Sequence, residues 1–131
     1  MTRRYARELA LQTLYSVEVG KNDPAAALEQ TFAGPADSEG RAFVRDLVLG
    51  TLEHAERSDE VIAPLLQGWT LERLPTLDRL VLQMGVYELR HSPQTPAAVI
   101  INEAVELAKK FSTEDSGRFV NGVLAAAGRP G

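Results

Sequence analysis

The 131-residue chain has no cysteine, which excludes disulfides and thiolate chemistry and suits a reducing compartment. No apolar run reaches the roughly 18 residues of a membrane span. The amino end has no apolar stretch of signal-peptide type, because Arg7, Glu8 and Gln12 interrupt it. Only two histidines are present, His54 and His91, far apart in sequence, and no pair of candidate ligands has zinc spacing. Gly50, Gly68 and Gly85 are isolated, so there is no glycine-rich phosphate loop. No serine stands in a nucleophile-elbow context. These absences leave no catalytic residue, cofactor or metal to expect, and no membrane partner. They point to a cytoplasmic protein.

What is present is ordinary in amount and uneven in placement. Hydrophobic residues make up 44% and charged residues 24%, as in a soluble globular domain. The length fits one domain with one main core. The net charge is −4, yet Arg3, Arg4 and Arg7 fall within the first seven residues. The rest of the chain carries 11 bases against 18 acids. A protein that wraps long duplex nucleic acid is usually basic across its binding face. A short basic end on an acidic body fits two partners of opposite sign instead.

Apolar residues recur at spacings of three and four, the helical period. The first helix is expected from about Arg3 to Val19, with a core stripe of Ala6, Leu9, Ala10, Thr13, Leu14 and Val17. Asp23-Pro24 caps and opens a short second helix that ends near Gly34-Pro35. Ser38 is the expected cap of a third, carrying Phe43, Val44, Leu47, Val48 and Leu52. Ser58, followed by Asp59 and Glu60, reads as a fourth start with acids at its positive end, and Pro64 then kinks or shortens that helix. Residues 68–75 read as a connection with one helical turn. Residues 76–90 are apolar on most sides, as in a central buried helix. Thr95-Pro96 opens the next helix, through Phe111. Ser112–Asp115 resembles a capping box for a last one, which frays at Gly128-Arg129-Pro130. The short β-prone runs at 85–87 and 97–101 continue into helical patterns and pair with no hairpin turn. The expectation is all-α: a single compact domain, residues 1–131, of about seven helices in two packed halves, with a weak boundary near 68–75.

Two side chains invite chemistry but have simpler readings. Glu88 shares a face with Leu77, Val81 and Met84; a buried carboxylate there needs hydrogen bonds, and the start of the following helix is the expected donor. His54 falls near Phe43, Leu47 and Thr51 on a helical wheel, at the edge of a core.

The basic end is the stronger signal. Arg4, Arg7 and Leu11 share one narrow stripe beside the core face, with Arg3 next to them, so the arginines can reach solvent together. Cations at a helix amino terminus oppose the dipole, at roughly 0.3–1 kcal/mol each when exposed. Glu8 can relieve at most one of Arg3 and Arg4. A feature that works against local stability is a candidate for function. Three arginines suit a short single strand, with a log–log salt slope of about −2. Specific recognition would need aromatic or amide side chains as well. Arg118 and Asn121 lie off the apolar arc of the last helix, and Asn102 and Lys109 line the solvent edge of the one before it. They extend the basic surface if those helices pack beside the amino end.

Five stretches carry a resemblance: "RRYARELALQTLY" (3–15), "FVRDLVLG" (43–50), "DRLVLQMGVYEL" (78–89), "INEAVELAKKF" (101–111) and "FVNGVL" (119–124). In this order and spacing, over nearly the whole chain, they resemble the NusB family of transcription antitermination factors. The resemblance implies a non-catalytic, all-helical RNA-binding protein. It would bind boxA-type single-stranded RNA together with a small-subunit ribosomal protein acting as NusE. Their complex would join the transcription elongation complex, above all in ribosomal RNA synthesis. By resemblance the RNA side takes Arg3, Arg4 and Arg7, with Phe119 and Asn121 as weaker candidates; Lys109 and Arg118 join them from the helix-face reading alone. The protein-partner side takes Tyr15, Glu72 and Asp78. The basic segment is short for the family, which makes RNA binding depend on the partner. Asp115 and Glu114 near the RNA face work in the same direction. Two other readings are an accessory domain for an enzyme that modifies ribosomal RNA and a helical protein-binding module. The module would include a homodimer formed through Leu11 and Tyr15.

Overall fold

A computed structural model describes residues 1–34 and 37–128. Among these the regular structure is all helical: seven α-helices and two 3₁₀ turns, with no strand. The chain divides into two compact units after Leu52, at the end of the third helix. The connection at 68–75 therefore lies inside the second unit.

In the first unit, α1 runs Arg3–Gly20. Thr2 caps it, its hydroxyl accepting the Tyr5 N–H at 3.0 Å. Past Gly20, Lys21 turns into the left-handed region at φ 57° and ends the helix. Ala6, Ala10 and Leu14 form the buried stripe, while Leu9 and Val17 are only half-buried. Leu11, expected beside that stripe, is 0% exposed. It is therefore unavailable as a contact in a homodimer. Helix α2, Pro24–Thr31, starts at Asp23 as expected, its carboxylate accepting the Ala25 and Ala26 N–H groups. A 2.6 Å bond between the Thr13 and Thr31 hydroxyls ties α1 to α2. Helix α3 spans Ser38–Glu53. Its capping group is Asp37, not Ser38: Asp37 Oδ2 accepts the Gly40 N–H at 3.0 Å. Pro35, near the expected end of the second helix, lies outside the described residues.

In the second unit, α4 is Ala55–Ile62. The Ser58 start is overturned. Ser58 sits inside α4 and is buried, because the chain leaves α3 through the single non-helical residue His54. Asp59 is accordingly no first-turn acid; it accepts from Arg79 at 2.9 Å and Gln83 at 2.8 Å. Pro64 ends α4 in a 3₁₀ turn, Ala63–Leu65, and a second such turn, Leu71–Arg73, interrupts the connection. Helix α5, Thr76–His91, packs against α4, α6 and α7, and every residue from Leu80 to Leu89 is buried. Glu88 is among them. Helix α6 is Ala97–Phe111 and α7 is Glu114–Ala127. Thr113 rather than Ser112 caps α7, accepting the Ser116 N–H at 3.0 Å. Gly85 lets α7 come close: a Cβ there would stand 2.6 Å from Leu124 Cδ1. Helix α7 ends at Gly128 with φ 60°; Arg129 and Pro130 lie outside the described residues.

Candidate nucleic-acid and partner surfaces

The amino end of α1 is built on one aromatic ring. Phe43, on α3, lies 4.3 Å from the Arg3 guanidinium and 5.4 Å from that of Arg7, both within cation–π reach. The three arginines do not reach solvent together. Arg3 and Arg4 are exposed, but Arg7 is only 5% exposed. Arg7 follows Ala6 on the turn that α1 packs inward, and the Phe43 ring receives its charge. Arg3 also meets Glu39 at 3.2 Å. Both side chains are more than half exposed, so this pair contributes little and an incoming phosphate can exchange for it. Beneath them the terminal ammonium of Met1 bonds Asp37 Oδ1 at 2.6 Å. That bond, with the Gly40 N–H, holds the Asp37 carboxyl down at about 2. This unit thus presents Arg3, Arg4 and the exposed ring of Tyr5 on one helix start.

The second unit presents the other predicted RNA-side residues on α6 and α7. Lys109, Arg118 and Asn121 are exposed, as is Asn102. Arg118 pairs with Asp115 at 2.9 Å, one turn back and fully in solvent. Lys109 lays its stem across α7 where Gly117 makes room: a Cβ at Gly117 would stand 2.6 Å from Lys109 Cγ. Its ammonium is 3.8 Å from Glu106. Phe119 is half-buried and faces a cleft of about 230 Å³.

That cleft also takes in one of the predicted partner residues. Leu74, Pro75, Thr113, Ser116, Phe119 and Asp78 line it, with Asp115 and Trp69 at its mouth. Asp78 is 5% exposed and accepts the Ser116 hydroxyl at 2.9 Å through Oδ2. Its Oδ1 is buried with no hydrogen-bond partner among the described residues. A buried carboxylate oxygen without a donor costs about 1–3 kcal/mol. Glu72 stands exposed on the neighbouring 3₁₀ turn. Tyr15 belongs to the first unit and is 41% exposed on α1.

Residue patterns missed two members. Trp69 is 54% exposed over the cleft, and a lone tryptophan in a polar connection was the available signal. Phe43 reads as one more apolar residue of α3 until Arg3 and Arg7 are seen over it. The two histidines, distant in sequence, meet: the rings of His54 and His91 are 4.4 Å apart. Among the described residues no group of three histidine, cysteine or acidic side chains could hold a metal ion. Nor is any described helix long and apolar enough to cross a membrane.

Comparison with known proteins gives one consistent result. The NusB family model matches residues 4–129. The transcription antitermination protein NusB of Symbiobacterium thermophilum is 44% identical over 96% of this chain and 88% of its own length. The solved structure of T. maritima NusB superposes with a TM-score of 0.92 at 33% identity, covering 99% of this chain and 94% of that one. A structure of the antitermination factors NusB and NusE in complex with double-stranded RNA gives 0.84 at 27% identity, covering 97% of each chain.

Proposed function

The chain belongs to the NusB family, a family of transcription antitermination factors and not of enzymes, and from that premise we propose that it binds boxA-type RNA jointly with a small-subunit ribosomal protein of the NusE kind. In this reading the pair joins the elongation complex in the cytoplasm and supports transcription of ribosomal RNA. Arg3 and Arg4 meet phosphates of a single strand. Lys109, Arg118 and Asn121 add a second, weaker set of contacts, and Phe119 stacks a base. Arg7 serves from below: buried over Phe43, it holds the ring on which Arg3 rests. Tyr15, Glu72 and Asp78 take the protein partner, whose cations suit an acidic body.

The observation that carries the reading is the Asp78 oxygen left without a donor in a cleft that Phe119 and Trp69 also line. A desolvated, half-satisfied carboxylate favours a partner that brings an N–H group into the cleft. The NusB-and-NusE structure with double-stranded RNA, similar over 97% of this chain, supports RNA and a NusE-type protein as the classes of partner.

The test is a salt titration of boxA-type RNA binding, with and without the ribosomal protein. Binding alone should be weak and should rise clearly with the partner. Replacing Arg3 and Arg4 together by glutamine should flatten the log–log salt slope by about 1.4, which is ~0.7 for each single-strand phosphate released. Thermal stability should fall by no more than about 1 kcal/mol, the worth of the exposed Arg3–Phe43 contact. Equal affinity for scrambled RNA would instead favour the protein-binding module.

A further inference from the structure

The α4–α5 side of the second unit holds a cavity of about 220 Å³ that the function above leaves unused. His54, Arg57, Ser58, Tyr87, Arg90 and His91 line it. No acid is among them, in a chain with 18 acids and 14 bases. The Phe119 cleft of the same unit, by contrast, contains Asp78 and Asp115. Among the described residues neither Arg57 nor Arg90 forms an ion pair, although their helices carry Glu56, Glu60 and Glu88. Both guanidinium side chains are exposed, one from each helix, while Ser58 and Tyr87 are buried.

Three rings brace the cavity. His91 stacks on Tyr87 at 4.7 Å, and His54 lies 4.4 Å from His91 and 5.6 Å from Tyr87. These ring contacts restrict the His54 side chain before any ligand arrives. The volume has room for several waters at ~30 Å³ each, which is the size range of a small oxyanion and its hydration.

We propose that this cavity is a phosphate site. Arg57 and Arg90 approach from facing helices, and each offers a planar fork of N–H donors matched to phosphoryl oxygens. A carboxylate has two oxygens in one plane and is satisfied by one fork. A phosphate group is tetrahedral and accepts from both, with His54 as a further donor. The phosphate comes either from the backbone of a ribonucleotide strand or from free phosphate. The arginines of α1 take no part.

The full chain is titrated with inorganic phosphate at constant ionic strength, sodium chloride making up the balance, while the imidazole proton resonances of His54 and His91 are followed. Saturable shifts are expected. Arg57→Gln with Arg90→Gln should weaken the apparent affinity roughly ten-fold or more, with the melting midpoint retained because both residues are exposed. A second arm uses an eight-nucleotide single-stranded RNA without terminal phosphates. If it moves the same resonances, and the double variant flattens its salt slope, the backbone is the source; if only inorganic phosphate moves them, the free anion is. Shifts reproduced by chloride alone, or a double variant that titrates like the parent, overturn the site. The Arg3→Gln, Arg4→Gln chain should bind inorganic phosphate unchanged, so loss of the α1 function and loss of this site are read separately.

Discussion

The amino end of α1 and the Phe119 cleft hold charge in opposite ways. At α1 the exposed Arg3 rests on the Phe43 ring and in a solvent ion pair with Glu39, contacts of modest energy that a phosphate can replace. In the cleft a carboxylate is nearly dry and half satisfied. The first arrangement gives salt-sensitive attraction with little direction. The second gives almost nothing until a donor fits, and then a strong directional bond. Under the proposed function, a factor that binds a strand and a protein together would gain from having one of each, each site adding to the other's hold.

Asp78→Asn tests that contrast most severely. It keeps an acceptor for Ser116 but removes the charge, so ribosomal-partner affinity measured by calorimetry should fall by about 2–5 kcal/mol. Binding of RNA alone should hardly change. A variant that loses RNA and partner equally would erase the distinction between the two regions. Gly85→Val is next. A side chain there would drive into Leu124, which is fully buried. Denaturant unfolding should lose about 1–3 kcal/mol. Smaller again is Phe43→Leu, which keeps bulk but removes the ring under Arg3 and Arg7. Each cation–π contact is worth roughly 0.5–1 kcal/mol at an exposed site. RNA binding should weaken by a few-fold while partner binding stays intact; an unchanged salt titration would show that the ring does not position Arg3. The smallest effect concerns Asp37. Its carboxyl is depressed in the folded chain, so its contribution is complete above the ordinary value of 3.8 and fades as pH falls toward about 2. Acid titration of the Gly40 amide resonance should therefore move only below about pH 4.

The sequence read well where the signal was local. Asp23-Pro24, Pro64, Pro96 and Gly20 mark boundaries that the structure keeps, because capping and proline sterics act within one turn. The same local logic failed at Ser58. A serine followed by two acids has the chemistry of a cap, but burial of that serine inside a continuing helix outweighed it. At Ser38 and Ser112 the error was a single residue, and the neighbouring Asp37 and Thr113 cap instead.

The sequence by itself determined the helical class, most helix ends, the buried character of α5 and the concentration of arginine at the start. These follow from period, caps and composition, which act along the chain. Tertiary structure alone decided that Arg7 turns inward while Arg3 and Arg4 do not, that Asp78 faces a cleft with one oxygen unmet, and that His54 meets His91 ring to ring. The solvation and partners of a side chain depend on elements far off in sequence, and no periodicity within one helix carries that information.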